Sequence, residues 1–529
     1  MKNYLILTCL FTVASLLAAC DKEDTPAEAP LAADAVEVRG TLIDIRMLES
    51  GEQVFPQHDQ YVFGADADLL FDETMRYAVG LKESRGVEAF RCGSDATVYL
   101  ATDCTGMRAE GWKAADRIFT VNDLTYYIYC YESRTPGKWI AVPDPADRKC
   151  STMLFAKTLS VSETTVPGTV IAQVPQLRSG AINNVSMTIL PDGDYIASCT
   201  GATGPGAKGV SLFLSQDKGR TWSVLSQDNI GVNGIANYNN LFVHDGNLYM
   251  MGTGVGGRDV LITRSADKGR TWTYPADGRT GVLLSGAYHS SSVPVVVCNG
   301  RIWRAMEEVV DTKKEAFVLS APADADLLNA ANWTRTATIP LNTAWEAEGS
   351  SITELIEGNM VATPDGKLYN ILRASSSGTS LAAAKVTVLS EHELRFTAPG
   401  DFIHFPGGGK KFTIRYDAES RRYWTLTNPA HAGGMKHDGI YFNGITRDLI
   451  RNRLVLCYST DLNTWVQYKE VLSDDDPFFH GFQYTDWMFD GQDLVAVCRM
   501  ACPESRGLPV RQHDANFMTF LRIRNFRNL

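Results

Sequence analysis

The octets Ser215-Gln216-Asp217-Lys218-Gly219-Arg220-Thr221-Trp222 and Ser265-Ala266-Asp267-Lys268-Gly269-Arg270-Thr271-Trp272 begin 50 residues apart and differ at one position. Self-similarity at a period of roughly 20–50 residues marks a solenoid, propeller or array, in which one supersecondary unit is repeated. Each octet reads as a hairpin turn between two strands. The Asp accepts hydrogen bonds from nearby backbone, the Gly takes positive φ, and the Trp packs beneath the next unit. A shorter version without the Gly, Ser459-Thr460-Asp461-Leu462-Asn463-Thr464-Trp465, follows later in the chain.

A second set of turns gives the count. Asp192-Gly193, Asp245-Gly246, Asn299-Gly300, Asp365-Gly366 and Asp490-Gly491 suit type I′ hairpins, in which both residues need positive φ. Asp417-Ala418-Glu419-Ser420 serves the remaining unit, so six units begin near residues 183, 236, 288, 357, 411 and 482. At about 40–50 residues per four-stranded blade, residues 170–529 predict a six-bladed β-propeller. Trp222, Trp272, Trp333 and Trp465 each close a blade's second hairpin and are read as blade-to-blade packing. Residues 37–160 carry short alternating strands, such as Ala96–Ala101 and Tyr126–Tyr129, without the octet. They predict a smaller, sandwich-like β-rich domain ahead of the propeller, and the fold class is all-β.

Strand direction separates the two faces. Residues just before each first strand and just after each second strand share one face, and the octets lie on the other. The first face collects Asn183, Asn184, Tyr238, Asn239, Tyr288, His289, Glu357, Asn359, Lys410, Lys411, Tyr484 and Asp486. Arg304, Arg373 and Arg499 follow second strands and are aligned as equivalent positions, and longer loops add His431, His437, His513 and Asp514. Three guanidiniums at one mouth repel one another unless an anion or carboxylates lie among them, and a guanidinium grips a carboxylate through two parallel hydrogen bonds. The plainer reading of each Arg is an ion pair with a neighbour, such as Glu307 or Glu308 for Arg304. Glycosidic hydrolysis takes an acid and a base or nucleophile. Glu357 and Asp486 are the carboxylates favoured here, because inner strands have little room for unpaired charge. Tyr484, Tyr288 and Tyr416 are candidate phenol nucleophiles. His289, Asn359, Lys411, His513 and Asp514 are candidate substrate contacts. No spacing of His and Cys suggests a metal, and no cofactor is expected.

The pattern Ser-x-Asp-x-Gly-x-Thr-Trp resembles the Asp-box of the sialidase (neuraminidase) superfamily, over about residues 170–529. The stretches Ala287-Tyr288-His289-Ser290, Phe405-Pro406-Gly407-Gly408-Gly409-Lys410-Lys411-Phe412 and His513-Asp514-Ala515-Asn516 resemble a sialidase-related branch of Bacteroidetes surface lipoproteins. The resemblance implies exo-hydrolysis of a terminal acidic sugar. Arg304, Arg373 and Arg499 would hold its carboxylate, a Tyr–Glu pair would attack, and an Asp would act as acid/base. No Phe-Arg-Ile-Pro occurs in the first blade, so sialic acid, another acidic sugar and a neutral one all stay open. Two alternatives remain beside hydrolysis. One is a uronate lyase using His289 or Tyr288 as base, the other a glycan-binding protein without turnover.

Residues 1–19 read as a signal peptide, and Leu17-Ala18-Ala19-Cys20 resembles a lipoprotein cleavage box that would leave Cys20 lipidated. Residues 20–36, beginning with the acidic Asp21-Lys22-Glu23-Asp24, then form a tether to a Gram-negative outer membrane, on the cell surface or on its periplasmic face. A net charge of −11 speaks against a nucleic-acid partner, which needs a basic stripe. Cys92, Cys104, Cys130 and Cys150 are placed where pairing is open to them, whereas Cys199, Cys298, Cys457 and Cys498 read as buried thiols.

Overall fold

The computed structural model describes residues 31–529, apart from 41–42, 48–52, 56–57, 65–74, 81–85, 144–150, 162–165, 178–180, 203–208, 230–233, 378–380, 430–435, 438–439 and 442–448. The proposed signal peptide, Cys20, Cys150 and His431 lie outside the described residues.

The chain first builds two packed sheets. Ala35–Gly40 lies between Val87–Cys92 and Thr158–Val161 in one of them. The other has six strands, with Thr152–Ala156 between Arg76–Val79 and Ala96–Thr102. Val38 and Phe90 of the first sheet meet Ala78, Leu100 and Leu154 of the second in one core. The alternate residues Tyr77, Val79, Ala101 and Phe155 point the other way, into a second apolar layer with Phe63, Phe119 and Tyr126. A sheet buried on both faces explains why Thr152–Ala156 is buried along its whole length.

Six blades follow in a ring. The first runs Asn183–Ile189, Tyr195–Thr200, Val210–Ser215 and Ser223–Asn229, each strand pairing antiparallel with the next. The sixth is completed from upstream. Thr169–Gln173 pairs with Phe517–Ile523, so an early strand closes the ring on a late blade. The protein is all-β, a six-bladed propeller preceded by a sandwich.

The third unit begins its pairing at Tyr288, as the turn spacing predicts, but without a break from the second blade. Val282–His289 is the outer strand of the second blade, and it runs on to pair with Arg301–Val310 of the third. The short Val296–Cys298 then lines Arg301–Val310 from the inside.

The octets are built as their chemistry dictates. Ser215 Oγ donates to Asp217 at 2.9 Å and accepts from the Gly219 amide at 2.8 Å, while the Thr221 amide and hydroxyl donate to Asp217 at 2.9 and 2.6 Å. The second octet repeats this set through Ser265, Asp267, Gly269 and Thr271. Lys268 reaches Asp192 and Asp194 at the turn of the first blade, which ties neighbouring blades on the face opposite the mouth. Trp222 lies 5.7 Å from Phe520, between the first and sixth blades. At Gly219, φ is +86° and an added Cβ would fall 2.3 Å from the Phe520 ring. Gly219→Ala is therefore expected to destabilise the protein by about 1–3 kcal/mol, read as a lower denaturant midpoint at unchanged m-value.

Cys104 is disulfide-bonded, whereas Cys92 and Cys130 are free. Cys199, Cys298, Cys457 and Cys498 are buried free thiols, and burial pushes Cys457 and Cys498 up to about 12.

Ahead of the sixth blade's inner strand, His480 Nδ1 sits 2.9 Å from Asp476 and 3.3 Å from Asp474. Burial opposes its charge, but the hydrogen bonds to Asp476 and Cys502 and the two carboxylates outweigh it and push the imidazole up to about 10. Because the folded value is raised, this contribution to stability is complete below about 6.5 and is lost as pH rises through about 10. Thermal unfolding midpoints measured across that window should fall more steeply for the wild type than for His480→Gln.

Candidate active site

Four inner strands carry the same distortion. Asn184, Tyr238, Glu357 and Tyr484 have φ of 51°, 53°, 56° and 52°. Each sits in a register shift, at Asn183/Ser186, Asn237/Asn240, Ile356/Asn359 and Gln483/Asp486. A bulge opposes two residues to one and re-aims a side chain. Left-handed φ at a tyrosine or glutamate costs on the order of 1–3 kcal/mol, and such strain concentrates at functional sites. The strained Tyr238, Glu357 and Tyr484 lie within electrostatic reach of one another.

Their surroundings are charged and closed. Arg373 Nη1 donates to Glu357 Oε2 at 3.2 Å and to the Tyr484 hydroxyl oxygen at 3.3 Å. Burial opposes ionisation of Glu357, but Arg373, His289 and Arg451 more than offset it and hold the carboxyl below its usual value. Arg451 and Arg499 place their guanidinium carbons 5.1 and 5.0 Å from the centre of the Tyr484 ring. Arg451 also donates to Gln483, and Arg499 donates to the His513 carbonyl at 2.6 Å.

Two carboxylate–imidazole pairs flank this centre. His289 Nδ1 lies 2.7 Å from Glu307 Oε2, and its ring centre is 4.6 Å from that of Tyr238. The second Glu307 oxygen accepts from the Gly358 amide at 3.4 Å, directly beside the Glu357 bulge. Burial first, then Glu307, Glu357 and Tyr484, raise the Tyr238 phenol. In the second pair His513 Nδ1 lies 2.8 Å from Asp514. That hydrogen bond favours the imidazolium, but burial and the cations Arg499 and Arg451 together outweigh it and bring His513 down to about 4. Burial works against the Asp514 charge as well, yet His513 and Arg511 hold its carboxyl at about 2. Among the described residues no group of three or more His, Cys, Asp and Glu side chains is placed to hold a metal ion.

Of the residues expected from sequence, Glu357, Arg373, Tyr484, Arg499, His289, His513 and Asp514 come together here. Five do not. Arg304 is fully buried within the third blade and donates to Val293 O, Ser290 Oγ and Ser291 O, so it props a loop and is not equivalent to Arg373. Tyr288 points the opposite way from His289 along the same strand, packs 5.9 Å from Phe317 and donates to Ser285 O. Asp486 is buried and accepts from Ser186 Oγ at 2.9 Å and the Met187 amide at 3.0 Å, with Arg415 at 3.5 Å, which makes it a tie between the first and sixth blades. Asn359 joins the fourth and fifth blades, donating to Phe412 O and accepting from the Ile414 amide. Lys411 is pulled down to about 8 by burial and donates to Thr413 Oγ1 and Thr485 O, which spends it between the fifth and sixth blades.

Sequence reasoning missed Arg451 and left Glu307 as a mere ion-pair partner. The turn spacing carried a signal for the second. Glu307 lies seven residues past Gly300, as Arg373 lies seven past Gly366, so Glu307 takes the place assigned to Arg304. Arg451 gives no comparable signal, because it comes from the long insertion between the fifth blade's second and third strands.

No family model and no curated protein matches the chain. Among solved structures it is similar to a Hadza microbial sialidase, at 13% identity and a TM-score of 0.45 over 93% of this chain and 100% of that one. A Penicillium chrysogenum alpha-L-arabinanase complexed with arabinobiose gives 13% and 0.39 over 68% and 98%. A Trypanosoma rangeli sialidase in complex with the inhibitor DANA gives 12% and 0.42 over 68% and 58%. At this level of similarity neither activity nor ligand transfers to the present chain.

Proposed function

We propose that the protein is a glycoside hydrolase that releases a terminal, carboxylate-bearing sugar such as sialic acid from a glycan. One observation carries the reading: a single Arg373 nitrogen serves both the Glu357 carboxylate and the Tyr484 hydroxyl, with two further arginines against the Tyr484 ring. A sugar with a carboxylate beside its reacting carbon repels an anionic nucleophile, and a phenol relieves that repulsion. Tyr484 would attack, its proton passing to Glu357, while Arg373 lowers the cost of phenolate character. Arg451 and Arg499 would hold the sugar carboxylate. The proposed setting is the outer membrane, through lipidated Cys20.

The test is incubation of the purified protein with sialylated and uronate-bearing glycans, followed by mass spectrometry of the products. Release of a free acidic monosaccharide is the expected result. A product that gains ultraviolet absorbance through a new double bond would instead mark a lyase, and saturable binding without any product would mark a capture protein.

A further inference from the structure

The hydrolysis proposed above still lacks a group to protonate the departing oxygen, because Asp486 is spent between blades and Glu357 is assigned to Tyr484. Of the two carboxylate–imidazole pairs at the site, that of His513 has Arg499 3.5 Å from its ring nitrogen, a cation that disfavours a proton to give away, which leaves the pair of His289. Glu307 is fully buried, and its two oxygens are aimed by the Gly358 amide and by His289 Nδ1. A proton on Nδ1 facing that carboxylate leaves Nε2 as the working nitrogen, and no hydrogen-bond partner meets Nε2 among the described residues. The His289 side chain keeps 12% of its surface open while that of Glu307 keeps none, so the pair presents only the imidazole. Tyr238 covers one side of the ring, and Glu357 lies within electrostatic reach of it.

We infer that His289, oriented by Glu307, is the acid/base catalyst of this site, and that Glu307 is its positioning residue. This rests on the hydrolase reading. In the first step the imidazolium gives its Nε2 proton to the glycosidic oxygen as the carbon–oxygen bond breaks. The Tyr484 oxygen bonds to the sugar carbon, and its own proton passes to Glu357. In the second step neutral His289 takes a proton from water, whose oxygen displaces Tyr484, and Tyr484 recovers its proton from Glu357. The net reaction adds one water with retention of configuration. The charged and titratable groups facing the imidazole are Glu307, Glu357 and Tyr238, with Arg373 behind Glu357 and buried Arg304 within electrostatic reach of Glu307.

The experiment compares the methyl and nitrophenyl glycosides of sialic acid as substrates of the full protein. A nitrophenol leaves without protonation, whereas methanol does not. His289→Ala is expected to lose roughly 10²–10⁴-fold in kcat/KM on the methyl glycoside and less than about 10-fold on the nitrophenyl one. Azide, which needs no base, should raise the variant's turnover of the nitrophenyl glycoside. Glu307→Gln removes the anion beside the imidazole, so the alkaline limb of kcat/KM should move to lower pH, a shift that a purely structural Glu307 would not produce. Equal losses on both glycosides, or an unmoved limb, would overturn the inference while leaving the hydrolase reading intact. Absence of hydrolysis of both glycosides by the wild type, together with no acidic monosaccharide released from the glycan panel, would remove that reading and the inference with it.

Discussion

Tyr484→Phe is expected to lower kcat by roughly 10³-fold or more while leaving the protein folded. The substitution keeps the ring against Arg451 and Arg499 and removes the oxygen that Arg373 and Arg451 both address. Each hydrogen bond lost costs about 0.5–1.5 kcal/mol net, so the unfolding midpoint should shift far less than the rate. Monosaccharide release and thermal unfolding, measured on the same preparation, separate the two effects. A variant that keeps a tenth of the wild-type rate rules out Tyr484 as the nucleophile. Glu357→Gln should slow turnover as well, and it also removes the carboxylate that faces Arg373.

Asp486→Ala is expected to act in the opposite sense, through stability. Its carboxylate accepts from Ser186 Oγ and the Met187 amide, faces half-buried Arg415 at 3.5 Å and lies within electrostatic reach of buried Lys411. Arg415 and Lys411 are both cations whose burial already works against their charge, with Asp486 as the largest influence opposing that. Breaking a buried ion pair from one side costs about 3–5 kcal/mol, because the stranded charge stays desolvated. Denaturant unfolding should show a loss of that size. Asp486→Asn should lose less, since its amide oxygen still accepts from Ser186 and Met187. Undiminished stability in both variants would return Asp486 to the list of candidate acids.

The sequence was most legible where the chemistry is local. Ser215, Asp217, Gly219 and Thr221 lie within seven residues of one another and satisfy one another's hydrogen bonds, so the turn can be read without knowing what lies beyond it. The same holds for the Asp-Gly hairpins. Together they set the strand count, the blade rhythm and the face on which chemistry is possible. Within that face the choice of residue was less secure. Tyr288 and His289 are adjacent, yet only His289 faces the centre. Arg304 and Glu307 lie on one strand, and the mouth receives Glu307.

The physical reason is the two-residue period of a strand. Each bulge inserts one residue and reverses which side chains face the axis beyond it, and no local propensity announces a bulge at a tyrosine or glutamate with positive φ. The ring sets the remainder. Arg373, Arg451 and Arg499 come from the fourth, fifth and sixth blades, and the ring of blades brings these distant parts of the chain around one tyrosine. The amino-acid sequence by itself determined the repeating unit, because hydrogen bonding within a turn is complete inside a few residues. Which charges meet was decided by the tertiary structure, because Coulomb interaction and burial depend on separations that the ring alone sets.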